Sequence, residues 1–310
     1  MSSGGRSQPE AGAARTPMTL PRLAEMKDAG EQIVMVTAYD HPSARVAEEA
    51  GVDVVLVGDS AANNVLGYDS TVPVGMEEML MLAAAVHRGL KTPLLVGDMP
   101  FGSYENSNEL AVQNAQRFIK EAGCDAVKLE RGGSSVDRAR AIVRAGIPVM
   151  GHIGLTPQTA TSLGGYKAQG KTAARAAQVA EEALALQAAG CFAIVFEAVP
   201  AAVTEAIVSR LEVPTIGIGA GPATSGQVLV FHDLLGLNTG HMARFVKRYA
   251  EVHRTMVDAV SDYAAEVRSG KFPEPEHMYS IDPAELSEFR RYLDQESLAS
   301  AKAWEWEPLP

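Results

Sequence analysis

Cysteine is scarce in this 310-residue chain, and its scarcity narrows the possible chemistry. The two thiols, Cys124 and Cys191, each stand at the start of an apolar run, which is typical of buried free cysteines. Two cysteines so placed favour neither a disulfide framework nor a zinc site. Catalysis by a cysteine nucleophile is equally disfavoured.

Long hydrophobic runs and excess positive charge are also lacking. No apolar run approaches the roughly 20 residues that a membrane helix needs, and the N-terminal sequence MSSGGRSQPEAGAARTPM lacks the apolar stretch of a secretory signal. Lys and Arg number 27 against 38 Asp and Glu, which gives a formal net charge of −11. Such a chain repels nucleic acids and anionic membrane surfaces. The sequence therefore predicts a cytoplasmic protein that binds neither nucleic acid nor membrane.

The chain divides into three parts. Residues 1–18, rich in Gly, Ser, Ala and Pro, are predicted to be a disordered leader, residues 19–280 a catalytic barrel with closing helices, and residues 281–310 a C-terminal tail. From Leu20 to about Leu237, short β-branched runs alternate with Ala-rich amphipathic stretches, the pattern of βα units in a parallel sheet. Eight candidate strands occupy 33–40, 52–59, 93–98, 125–130, 148–152, 192–197, 214–219 and 227–233.

Eight such units fit a closed (β/α)₈ TIM barrel, an α/β fold, and a doubly wound open sheet is the alternative. Glycines at 51, 123, 146 and 190 follow the helical stretches and are predicted to adopt the left-handed conformation that ends helices. Beyond the barrel, apolar residues that recur every three or four positions predict a long helix over 243–270. This helix gives the barrel a C-terminal helical extension.

Polar residues end most of the candidate strands. In a parallel barrel all carboxyl ends of the strands meet at one face, where barrel enzymes place their sites. A single acid there is more readily explained as a helix cap, but several buried carboxylates at one mouth require a cation. Carboxylate and water oxygens suit Mg²⁺, whereas softer metals prefer more His and Cys. The residues concerned are Asp40, Asp59, Asp98, Glu130, His152 and Glu197.

Lys128 lies two positions before Glu130, so strand alternation points both side chains to one side. A lysine inside a barrel needs an anion, and this one could bind a substrate carboxylate or form a structural ion pair with Glu130 or Asp98. His152 could donate a hydrogen bond to a substrate oxygen or bond only to its neighbours.

Residues 165–172, GYKAQGKT, match the P-loop pattern G-x-x-x-x-G-K-[ST]. A P-loop follows a strand, but the polar stretch TPQTATSLG precedes this match, so we interpret it as a barrel loop. The segment GIGAG at 217–221 has Pro222 where a dinucleotide-binding loop needs its third glycine.

Seven ordered segments resemble the ketopantoate hydroxymethyltransferase family over about Met18 to Tyr279. They are VTAYDHPSARVAEEAGVDVVLVGDSAANNVLGYDSTVPV, LLVGDMPFGSYE, AVKLE, GHIGLTPQ, GGYKAQGKT, VFEAVP and GIGAG with GQVLVFHDLLGL. The resemblance implies a (β/α)₈ barrel, usually a decamer. It also implies transfer of a hydroxymethyl group from 5,10-methylenetetrahydrofolate to 2-oxoisovalerate in the presence of Mg²⁺.

The resemblance also implies roles for individual residues. Asp59 and Asp98 would bind the metal, with Glu130 as a third ligand, directly or through water. The oxo acid would be bound by Ser60 and Lys128 beside the two aspartates, with His152 as a further substrate contact. Glu197 would accept the proton.

Two positions depart from the family pattern: Arg131 intervenes before Gly132 and Gly133, and Ser225 stands where Asp is usual. We expect them to alter contacts on the folate side. The nearest alternative function is a Mg²⁺-dependent barrel of the isocitrate lyase and phosphoenolpyruvate mutase type, which generally needs a reactive cysteine in a mobile loop. A P-loop nucleotide-binding protein is the alternative from another class.

Overall fold

Eight parallel strands form a closed barrel. The computed structural model describes residues 15–131, 134–240 and 242–294. Its strands are β1 (Ile33–Thr37), β2 (Val54–Val57), β3 (Leu94–Asp98), β4 (Ala126–Glu130), β5 (Val149–Gly154), β6 (Ala193–Glu197), β7 (Thr215–Ile218) and β8 (Gly226–Leu229). Each strand pairs with the next, and β8 pairs with β1. The predicted (β/α)₈ TIM barrel is confirmed, and the pairing of β8 with β1 excludes an open sheet.

Helices connect most of the strands, and local sequence sets their ends. Thr19, Ser107 and Thr172 each accept a hydrogen bond at a helix N-terminus. Gly51 ends its helix with a φ of 76°, which only glycine adopts without strain. The helices are α1 (Leu20–Ala29), α2 (His41–Ala50), α3 (Ala61–Asn64), α4 (Met76–His87), α5 (Asn108–Lys120), α6 (Ser135–Arg144), α7 (Ala173–Ala188), α8 (Ala201–Val208), α9 (Phe231–Leu234), α10 (Val252–Ser269) and α11 (Pro283–Asp294).

The apolar core has two parts because successive strand residues point to opposite faces. Side chains that point into the barrel, among them Met35, Val96 and Met150, form one cluster. A larger cluster lies between the strands and the helices around them. Gly97 of β3 has no room for a side chain, since a Cβ there would lie 2.4 Å from the Phe118 ring of α5. The close packing of α5 on β3 fixes the strand that ends in Asp98.

Three predicted elements differ from the structure. Residues 227–233 were predicted as one strand, but the Phe231 amide donates to Thr37 Oγ1, so the ladder stops and α9 begins there. No helix separates β7 from β8. The helix predicted over 243–270 begins only at Val252, because the Tyr249 and Val252 amides donate to carbonyls of Leu234 and Leu235.

The described residues from Arg254 onwards belong to a second compact unit. Within it, α10 ends before Gly270, which has a φ of 70°, and the Phe272 ring contacts Tyr263 and His277. The predicted tail includes α11, and its residues 295–310 lie outside the described ones. None of the helices in the described parts of the chain combines the length and apolar character that crossing a bilayer demands.

Residues 1–14 of the predicted leader also lie outside the described ones. Arg15 and Met18 contact the barrel, because Arg15 Nη2 donates to the Val52 carbonyl at 3.1 Å and the Met18 amide to the Thr92 carbonyl at 2.7 Å.

Candidate active site

Two buried aspartates lie side by side at the carboxyl ends of β2 and β3. Asp98 is the last residue of β3, Asp59 follows β2 by two residues, and the Asp59 amide donates to Asp98 Oδ2 at 3.0 Å. Burial raises the pKa of each carboxyl group to about 6. The charge of Glu130 raises that of Asp59 further, and the Lys128 ammonium opposes the rise in both aspartates. Burial and like charge thus make both carboxylates unstable without a nearby cation.

Lys128 and Glu130 of β4 point to the same side, as the alternation predicted. Lys128 Nζ lies 2.8 Å from Asp98 Oδ1 and 3.9 Å from Glu130 Oε1, and all three side chains are almost fully buried. Burial lowers the pKa of Lys128, but the charges of Asp98, Glu130 and Asp59 outweigh it, and the net shift is upward. The lysine is therefore charged, and the ion pair considered as its structural alternative is present.

His152 of β5 links Glu130 to Glu197 of β6. Its Nδ1 lies 3.5 Å from Glu130 Oε1 and 3.3 Å from Lys128 Nζ, and its Nε2 lies 3.3 Å from Glu197 Oε2. Burial and the Lys128 charge lower the pKa of His152, but hydrogen bonds to Glu130 and Glu197 raise it to about 9. The strand register places these residues together, since Glu130 pairs with His152 and Gly154 with Glu197.

Gln158 connects two of the acids, and the sequence analysis did not identify it. Its backbone amide donates to Glu130 Oε2 at 3.0 Å, and its Nε2 donates to Asp59 Oδ2 at 3.1 Å. Tyr104 Oη donates to Gln158 Oε1 at 2.7 Å, which fixes the orientation of the amide. The loop after β5 thus holds two carboxylates in place. The only signal in the sequence was a glutamine shortly after a strand end.

These charged residues form one side of a cavity at the barrel mouth, which all eight strands or their following loops line. We call Asp59, Asp98, Lys128, Glu130, His152 and Glu197 the charged side. Ser60 also lines the cavity, and a Cβ on Gly58 would come within 2.9 Å of its Oγ. Every residue to which the family resemblance assigned a role therefore lines this one cavity.

The opposite part of the cavity is apolar. We call Ile218, Val228, Val230 and Phe245 the apolar side. Phe245 reaches the mouth from beyond α9, and it packs so closely on Gly219 that a Cβ there would lie 2.5 Å from the ring. Asp233 also lines this part, and its Oδ1 accepts a hydrogen bond from Asn238. An organic substituent can therefore bind opposite the charged groups.

Asp40 does not belong to the site, although the sequence grouped it with the other strand-end acids. It is exposed and caps α2, where its Oδ1 accepts a hydrogen bond from the Ser43 amide at 2.7 Å. Its backbone amide in turn donates to Ser43 Oγ, which completes a capping box. The helix-cap explanation is thus correct for this one acid.

The segment matching a P-loop pattern is a loop between β5 and α7. It follows turns rather than a strand, and β5 ends at Gly154. Thr172, which would bind Mg²⁺ in a P-loop, caps α7 by accepting a hydrogen bond from the Arg175 amide. Burial and the charges of Asp59, Glu130 and Glu197 raise the pKa of Tyr166, so this loop lies near the charged side.

Neither cysteine lies in the cavity. Both thiols are buried, and burial raises the pKa of Cys124 and of Cys191 to about 12. Such thiols are protonated and unreactive at neutral pH. The reactive cysteine of the lyase alternative is therefore not found among the described residues.

The two departures from the family pattern lie outside the cavity lining. Arg131 pairs with Glu182 of α7. Ser225 precedes β8, where its Oγ accepts a hydrogen bond from the Thr215 amide and its carbonyl accepts one from the Ile33 amide. Because Thr215 and Ile33 begin their strands, Ser225 lies at the end of the barrel away from the mouth.

The donor set fits a hard divalent cation. The charged side has four carboxyl groups against two basic side chains, Lys128 and His152, so the acids outnumber the bases by two. The described residues contain no group of three or more His, Cys, Asp or Glu side chains arranged to hold a metal ion. The Asp59–Asp98 pair remains, and Mg²⁺ commonly uses one or two carboxylates together with water and substrate oxygens.

A closed parallel barrel with titratable groups at the carboxyl ends of its strands has the arrangement of TIM-barrel enzymes. The model of the ketopantoate hydroxymethyltransferase family matches residues 17–275. A 3-methyl-2-oxobutanoate hydroxymethyltransferase of Heliobacterium modesticaldum is 53% identical over 265 residues, covering 86% of this chain and 96% of that protein. The chain belongs to the ketopantoate hydroxymethyltransferase family.

More distant proteins agree with these findings. The mitochondrial 3-methyl-2-oxobutanoate hydroxymethyltransferase 1 of Arabidopsis thaliana is 50% identical over 296 residues, covering 92% of this chain and 85% of that protein. A solved structure of 2,3-dimethylmalate lyase, from the PEP mutase/isocitrate lyase superfamily, is 16% identical with a TM-score of 0.54. It covers 92% of this chain and 100% of that one, and at this identity it shows the fold alone.

Proposed function

We propose that this chain transfers a hydroxymethyl group from 5,10-methylenetetrahydrofolate to 3-methyl-2-oxobutanoate (2-oxoisovalerate). The reaction depends on Mg²⁺ and yields 2-dehydropantoate for pantothenate biosynthesis. Family membership supports the reaction class, and the observation that carries the proposal is the two-sided cavity. Its charged side has four carboxyl groups against two basic groups, an excess of acids that suits a divalent cation, and its apolar side matches the isopropyl group of the oxo acid.

Asp59 and Asp98 would hold the ion, and Glu130 remains the predicted third ligand, directly or through water. Their carboxylate oxygens are of the type that Mg²⁺ prefers, and their burial beside Glu130 explains why a cation is needed there. When bound, Mg²⁺ supplies Lewis acidity that polarises the keto group of a 2-oxo acid and so acidifies its C3 hydrogen.

The remaining residues bind the substrate and move the proton. Lys128 and Ser60 bind the carboxylate of the oxo acid beside the aspartates, which points its isopropyl carbon towards Glu197. Glu197 accepts the C3 proton, and His152 orients its carboxylate from 3.3 Å. A direct contact of His152 with the substrate stays a prediction, because its two ring nitrogens face Glu130 and Glu197. The folate supplies the one-carbon electrophile, which protein side chains cannot provide.

Incubation of the protein with 3-methyl-2-oxobutanoate, methylenetetrahydrofolate and Mg²⁺ tests the proposal. We expect 2-dehydropantoate by mass spectrometry, and none when EDTA is added or the folate is omitted. Absence of product from the complete mixture contradicts the proposal. Homo-oligomerisation, as a decamer by family resemblance, is part of the same proposal, and light scattering of the purified chain measures the mass of the assembly.

A further inference from the structure

Three hydroxyl groups beside the charged side form a continuous chain of hydrogen bonds. The Phe231 amide donates to Thr37 Oγ1 at 2.9 Å, and Thr37 Oγ1 donates to Tyr39 Oη at 2.9 Å. Tyr39 Oη lies 2.9 Å from Ser60 Oγ. Thr37 and Tyr39 are buried; Thr37 and Ser60 both line the cavity, and Tyr39 does not. These hydrogen bonds therefore connect Ser60, through the buried Tyr39, to the backbone at the start of α9.

The partners of Tyr39 fix the direction of the last hydrogen bond. Tyr39 Oη accepts from Thr37 Oγ1 and, at 3.4 Å, from Asn64 Nδ2. A phenol has one proton, and with both of these neighbours donating, that proton is directed to Ser60 Oγ. Burial, the largest effect, raises the pKa of Tyr39 to about 12, so the phenol keeps its proton at neutral pH.

Ser60 Oγ thus accepts a hydrogen bond from Tyr39 Oη. Its own hydroxyl proton is then free to be donated into the cavity. Gly58 makes this placement possible, because a side chain there would collide with Ser60 Oγ. We propose that Tyr39 is a positioning residue that directs the Ser60 hydroxyl proton at the carboxylate of the bound 2-oxo acid. This inference rests on the proposed function. It assigns Ser60 the role of hydrogen-bond donor to the substrate carboxylate. Thr37 and Tyr39 determine the direction in which the Ser60 hydroxyl donates.

A double-mutant cycle tests the proposal. The affinity of 3-methyl-2-oxobutanoate is measured by calorimetry with saturating Mg²⁺ and without folate, for the parent, Ser60→Ala, Tyr39→Phe and the double variant. We expect Ser60→Ala to weaken binding about tenfold, since a hydrogen bond to a charged group is lost. Tyr39→Phe weakens it about threefold, because Ser60 can still donate but is no longer oriented or polarised. The double variant binds as Ser60→Ala does.

Two further measurements separate positioning from a general structural role. Tyr39→Phe raises KM and leaves kcat unchanged, because the carboxylate interaction is equal in the ground and transition states. Tyr68→Phe is the matched control: it removes a hydroxyl that donates to Glu78 outside the cavity, and it retains the parent affinity.

The outcomes are distinguishable. Parent affinity in Tyr39→Phe, or additive losses in the double variant, overturns the role of Tyr39 and leaves the proposed function standing. A parent protein that does not bind the oxo acid overturns the proposed function and this inference with it. Thermal unfolding of each variant shows whether it is folded, and Thr37→Ser, which keeps the chain of hydroxyls, retains the parent affinity.

Discussion

The charged side and the apolar side of the mouth are held in place by different forces. On the charged side, salt bridges and hydrogen bonds connect each group to a neighbour, as the contact between the Asp59 amide and Asp98 illustrates. On the apolar side, only packing sets positions, as where Phe245 lies against Gly219. Directional bonds fix angles, whereas packing fixes volume. The difference is consistent with the proposed function, in which the charged side performs the chemistry and the apolar side accommodates the substituent at C3.

The largest effect is expected at the aspartate pair. Asp59→Asn keeps the shape but removes one of the two charges that would hold Mg²⁺, so turnover falls by about 10⁴-fold and Mg²⁺ binding by calorimetry is lost. Asp125→Asn is the matched control, because Asp125 lies just before β4 at the other end of the barrel and accepts from the Leu95 amide. Undiminished Mg²⁺ affinity in Asp59→Asn would show that the ligand assignment is wrong.

A smaller effect, about 10³-fold, is expected at Glu197. The parent with Mg²⁺ exchanges the C3 hydrogen of 3-methyl-2-oxobutanoate for deuterium even without folate, which proton NMR follows directly. Glu197→Gln cannot accept the proton, so exchange is lost while calorimetry still detects the oxo acid and Mg²⁺. Exchange at the parent rate would show that Glu197 is not the base, and His152, which the site's acids keep protonated, would not replace it.

The apolar side is tested by a change of selectivity. Ile218→Val removes one methylene from the wall, and we expect the ratio of kcat/KM for 3-methyl-2-oxopentanoate to that for 3-methyl-2-oxobutanoate to rise about tenfold. Asp59→Asn lowers turnover of both substrates alike. An unchanged ratio in Ile218→Val would mean that other residues of the cavity limit the size of the substituent that can bind.

We expect the substitution Lys171→Ala to have no effect on nucleotide binding. This lysine belongs to the loop between β5 and α7, which is part of neither side of the mouth. Calorimetry with ATP or GTP at millimolar concentration and Mg²⁺ detects no binding by the parent or by Lys171→Ala. Tight binding by the parent that the substitution abolishes would restore the P-loop alternative.

Local pattern predicted most of the charged side. Two-residue alternation in VKLE is enough to place Lys128 and Glu130 together, and each acid at a strand end follows from the parallel arrangement. Asp40 was misassigned because strand-end acids and helix-capping acids occupy the same position in a βα unit. The sequence DHPS holds the distinguishing signal, a proline and a serine placed for a capping box.

Local sequence pattern could not predict which distant residues the fold brings to the site. Gln158 acts through its backbone amide as well as its side chain, and no pattern of residue types reveals where an amide points. Phe245 lies in a segment that does not continue the predicted helix, and the Tyr249 amide of this segment donates to the Leu234 carbonyl of α9. Tyr39 and Ser60 meet only when β1 and β2 are paired in register.

The two sides of the mouth are also separate along the gene. The charged side comes from residues 59–197, on β2 to β6 with their loops, and the apolar side from residues 218–245. Under the proposed function, a single recombination junction between residues 198 and 214 exchanges the apolar side and transfers the acids, Lys128 and His152 intact. Divergence of substrate range in such a barrel can proceed by exchange of its last quarter, while the residues that hold charge are inherited as one block.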